Sequence, residues 1–138
     1  MRAVLETEHF SLVFDEAHNI LRLARTSAPF VATLGAEPEV ASVQTAMATF
    51  DPHAVALLID LRAAPPRNDE GFEATMDRAK KRLFGRFDHS AMLVRTAVGR
   101  LQVTRLGGGG GPRSFLGEEE AVAYLRDALA TGSKGPSL

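Results

Sequence analysis

The chain has no cysteine among its 138 residues. That one absence removes disulfides, thiolate catalysis and zinc–thiolate sites together, and it fits a reducing compartment. An excess of charge of one sign is missing too. Sixteen basic residues against seventeen acidic ones leave a net charge of −1, so no global field steers the protein toward nucleic acid or an anionic membrane. No stretch approaches the roughly 20 consecutive apolar residues of a membrane span. The opening, MRAVLETEHFSLVFDEAHN, places Glu6, Glu8 and His9 where a signal peptide needs its apolar region. The expectation is a cytoplasmic protein with no membrane span. A chain of this size buries roughly two-thirds of its unfolded surface, which suits one domain without covalent staples. That domain is expected over residues 1–131, with 132–138 as a flexible tail.

Short β-prone runs FSLVF (10–14) and ILRLA (20–24) flank the turn-like DEAHN, which reads as a hairpin. From Glu39 onward, Val40, Val43, Met47 and Phe50 fall at helical spacing, and Asp51–Pro52 ends that run. Pro38 is read as part of the irregular stretch before it. AVALLIDL (54–61) is apolar at nearly every position, the signature of a strand covered on both faces. A helix is expected after Pro65 and Pro66, with Phe72, Met76, Ala79, Leu83 and Phe87 as its apolar stripe. Asn68 or Asp69 would cap it, and acids early with bases late suit the helix dipole.

AMLVRT (91–96) reads as a second interior strand. Residues 97–106 fit a strand or a helix, since Leu101, Val103 and Arg105 alternate while Val98, Leu101 and Arg105 share a helix face. GGGGGPR (107–113) reads as a connector. SFLG (114–117) is expected as a short strand, followed by a closing helix, EEEAVAYLRDAL, with Ala121, Val122, Leu125 and Leu129 inward. The fold class that results is α/β: a mixed sheet with an N-terminal antiparallel hairpin plus parallel strands, flanked by α-helices in a single domain.

Three segments together, LLIDLRAAPPRND (57–69), MLVRTAVGRLQVTRL (92–106) and SFLGEEEAVAYL (114–125), resemble the STAS superfamily, and more closely its SpoIIAA-like members of unassigned function. The likeness spans roughly residues 9 to 130 and lies in pattern more than in invariant motifs. It implies a SpoIIAA-like fold, a helix at 97–106, and a protein that works by binding other proteins. A homodimer is also in keeping with it, though no exposed apolar run picks out an interface. In anti-sigma factor antagonists of this superfamily, a serine or threonine between an interior strand and the next helix is phosphorylated to switch partners. The corresponding stretch here, Leu61 to Gly71, contains neither residue; Thr75 is the first hydroxyl. The resemblance therefore does not carry the phosphoswitch with it.

The partner-binding candidates are Asp60, Arg62, Arg67, Asn68 and Asp69, because open α/β sheets place ligands at the carboxyl ends of strands. The plainer reading of the same residues is that the prolines stiffen the exit while Arg62 or Arg67 pairs with an acid. An anion site is the second candidate: Thr96 would cap a helix at 97–106, whose free amides would lie beside Arg95 and Arg100. RAKKRLFGR reads as the solvated end of the acid-first helix. The glycine run lacks the Gly-Lys-Ser/Thr of a phosphate-binding loop, since Pro112 and Arg113 stand there. His9, His18, His53 and His89 are scattered singly, so neither metal nor cofactor is expected. With no nucleophile elbow or dinucleotide fingerprint, the expectation is a protein that is not an enzyme. A rival reading, by likeness to the SEC14 lipid-transfer fold, is a small-molecule or lipid carrier with SAPFVATL (27–34) lining an apolar pocket.

Overall fold

Two runs that are apolar on both faces set the middle of the fold. In the computed structural model, which describes residues 1–27, 36–63, 86–95 and 113–131, they become two adjacent parallel strands of a six-stranded sheet. The strands are β1 (Arg2–Glu6), β2 (Phe10–Asp15), β3 (Ile20–Arg25), β4 (Ala56–Asp60), β5 (Ser90–Leu93) and β6 (Arg113–Phe115), and they lie side by side in chain order. β1, β2 and β3 pair antiparallel, whereas β3 to β6 run parallel. The described helices are α1 (Ala36–Met47) and α2 (Glu118–Ala130).

Alternation along the strands divides the core in two. Leu57 and Ile59 of β4 point to one face, where they join Phe10, Leu12, Leu21, Leu23, Met92 and Phe87 beneath Val40, Val43 and Met47 of α1. Ala56 and Leu58 point to the other, joining Ile20, Ala91 and Leu93 beneath Ala121 and Leu125 of α2. Four of the five β4 residues are buried, as expected for a strand covered on both sides.

The hairpin stands as read, with Phe14 opposite Leu21 and Leu12 opposite Leu23, and Asn19 takes a φ of 57° in its turn. Asparagine tolerates that left-handed conformation better than most residues. The sheet holds one strand more than expected. β1 adds to the outer side of the hairpin, with a bulge between Ala3 and Leu5. The bulge lets Val4 and Leu5 both pack against the α1-side core, which erases the period-two pattern that marks a strand.

α1 begins at Ala36, three residues before the Glu39 start, so Pro38 lies inside its first turn. Proline is tolerated there because first-turn amides have no intrahelical partner to lose. The interior strand at 91–96 ends earlier, at Leu93, although Val94 still donates its backbone N–H to Phe115. Arg113 is the first residue of β6 and not connector, and Leu116 and Gly117 lie beyond that strand's end. α2 matches its expected span to within one residue. Ala121 and Leu125 are fully buried, and Val122, Tyr124 and Leu129 pack around them. The helix expected after Pro65–Pro66 falls outside the described residues except at Arg86; Phe87, expected in its apolar stripe, is buried but lies in the bend just past the helix. The segments 97–106 and 107–112 and the tail 132–138 also lie outside them. Among the described residues, no helix is long and apolar enough to cross a membrane.

Candidate functional site

The parallel strands β3 to β6 end on one side of the sheet, and β4 leaves it through Asp60 and Arg62. Asp60 accepts the Arg62 backbone N–H at 3.0 Å, a local turn in which an aspartate substitutes for the next ladder bond. The same carboxylate takes a forked contact from the Arg62 guanidinium, 2.9 Å from Nε and 2.8 Å from Nη2. Arg62 Nη2 also donates to Glu118, the first residue of α2, at 3.0 Å. From β3, Arg22 Nη2 reaches the other Glu118 oxygen at 2.9 Å. Two cations and two anions from β3, the β4 exit and α2 thus form one balanced network.

Its electrostatics follow from those contacts. Burial pushes the Asp60 carboxyl up, but the side-chain and backbone hydrogen bonds from Arg62, with the charges of Arg62 and Arg22, outweigh it and hold the group below the usual carboxylate range. Hydrogen bonds from Arg22 and then Arg62 lower Glu118. The Arg62 guanidinium is raised, chiefly by its bonds to Asp60. Arg22 Nε is buried with no hydrogen-bond partner among the described residues. Gly117 caps α2 without a side-chain hydrogen bond, and Glu118, Glu119 and Glu120 fill the first turn, where acids favour the helix dipole.

On the α1 side of the same sheet end, a second polar cluster is buried more deeply. Glu39 of α1 accepts the His9 backbone N–H at 2.8 Å, the His9 ring Nδ1–H at 2.8 Å, and the Thr7 hydroxyl. A carboxylate only accepts, so His9 Nδ1 is the donor in this contact. Arg25, 4% exposed, donates from Nη1 to the carbonyls of His9 at 3.0 Å and Thr26 at 3.3 Å. Burial would raise the Glu39 carboxyl, yet the hydrogen bonds from Thr7 and His9 bring it below its ordinary value. Burial lowers the Arg25 guanidinium, and the Glu39 charge opposes that. Chemically the cluster pins the first turn of α1 to the β1–β2 turn and to the end of β3.

Of the sequence-derived candidates, the structure brings Asp60 and Arg62 together. Arg67, Asn68 and Asp69 lie outside the described residues, as do Thr96 and Arg100. Arg95 is exposed just beyond β5. Of the suggested carrier wall 27–34, only Ser27 is described. The arginine–acid pairing that the plainer reading anticipated is present at Arg62. Sequence reasoning missed Arg22, Glu118 and the whole Thr7–His9–Arg25–Glu39 cluster. One signal was available for Arg22, a charge set between Leu21 and Leu23 within a β-prone run. Among the described residues, no group of three or more histidines and carboxylates is placed to hold a metal ion.

Fold and site together define an α/β protein with a six-stranded mixed sheet, helices on both faces, and an arginine–carboxylate network where the parallel strands end. No protein-family model matches the chain, and no curated protein matches its sequence.

Proposed function

We propose that this chain is a non-enzymatic, cytoplasmic STAS-like interaction and regulatory module of the SpoIIAA type, working without a serine phosphoswitch. The observation that carries the reading is the β4 exit: Asp60 and Arg62 bend it, and no hydroxyl occurs from Leu61 to Gly71. A mixed sheet with an antiparallel start, parallel later strands and flanking helices is compatible with that family. The charges at this exit are already paired: Asp60 and Glu118 hold Arg62, and Glu118 also holds Arg22, so both guanidinium groups are engaged by carboxylates.

The docking element is the β4 exit itself, with Arg67, Asn68 and Asp69 offered to the partner and Asp60 with Arg62 setting its direction. Arg62 acts on the partner through position, because the Nε and Nη2 edge of its guanidinium is engaged within the chain. Affinity capture from the native cytosol tests this. Wild-type protein should retain a specific partner protein, and Arg67→Ala and Arg62→Ala, each checked for native circular dichroism, should each weaken retention about tenfold, or about 1.4 kcal/mol. Absence of any partner, or equal capture by all three forms, contradicts the reading.

A further inference from the structure

We draw no further inference here: the strongest candidate, the pair Arg22 and Arg62 converging on Glu118 at the amino end of α2, belongs to the site already described, has its charge balanced by Asp60 and Glu118, and is accompanied by no second observation that points to a ligand.

Discussion

Leu58 has no exposed surface and faces Ala91, Ala121 and Leu125 between the sheet and α2. Shortening it to alanine leaves a cavity the neighbours cannot fill, so Leu58→Ala should cost about 2–5 kcal/mol in denaturant unfolding; Phe87→Ala, on the α1 side, should fall in the same range. Glu39 is a different case. Its removal takes away the carboxylate that accepts the His9 ring and backbone N–H groups and the Thr7 hydroxyl. Glu39→Ala should cost about 1.5–3 kcal/mol, as losing hydrogen bonds to a charged acceptor does. Glu39→Gln, which keeps one acceptor oxygen, should cost less. The carboxyls of Asp15, Glu39, Asp60 and Glu118 all sit below their ordinary values. The folded chain therefore binds fewer protons than the unfolded one in acid. Their stabilisation is complete at neutral pH and is lost as pH falls below the ordinary carboxylate range, from about 4 downward. Thermal unfolding followed from neutral pH downward should show Tm falling there, and a level Tm would contradict these contacts. At this scale the sequence was legible where partners are near in the chain. Asp60 and Arg62 are two residues apart, whereas His9 and Glu39 are separated by 30 positions and no local pattern joins them.

α1 is held at both ends by polar contacts from outside itself. Glu39 pins its start, and Arg86 closes its end by donating to the carbonyls of Met47 at 3.0 Å and of Ala48 and Phe50 at 3.1 Å. The Met47 carbonyl belongs to the orphan set that a helix end leaves exposed, and those of Ala48 and Phe50 lie just past it. Arg86→Ala should destabilise the protein by about 1.5–3 kcal/mol, the worth of hydrogen bonds from a charged donor. Amide exchange should quicken first in the last turn of α1, ahead of β3 to β5. α2 is tied through the Arg62–Glu118 contact, whose side chains are 37% and 41% exposed. At that exposure solvent screening keeps the pair weak. A double-mutant cycle of Arg62→Ala and Glu118→Gln should give a coupling below about 1 kcal/mol. The coupling should shrink toward zero near about 1 M salt, where the Debye length is about 3 Å. Element type was readable wherever one period ruled: β2, β3, β4 and α2 all stand close to their expected positions. β1 was not, because its bulge turns two adjacent residues, Val4 and Leu5, toward one core.

For the whole molecule, the two-sided burial of β4 and β5 was written in their uninterrupted apolar runs, and so was the mixed character of the sheet. Which charges gather where the strands end was not. That depends on the register that sets Arg22 opposite Leu58 and Ala24 opposite Asp60, and on α2 returning over the sheet to present Glu118. Two cores on opposite faces make the sheet a floor packed on both sides. The β4 exit leaves that floor at a point held by four charged side chains, with no hydroxyl for a phosphoryl group through Gly71. On the proposed reading, that exit begins the surface that docks a partner. Native mass spectrometry of the protein freshly isolated from its native cells puts this most directly to the test. The added mass should equal a second, different protein chain, with no small-molecule adduct on the chain itself. A stoichiometric small-molecule adduct, with no partner chain at any concentration, would contradict it.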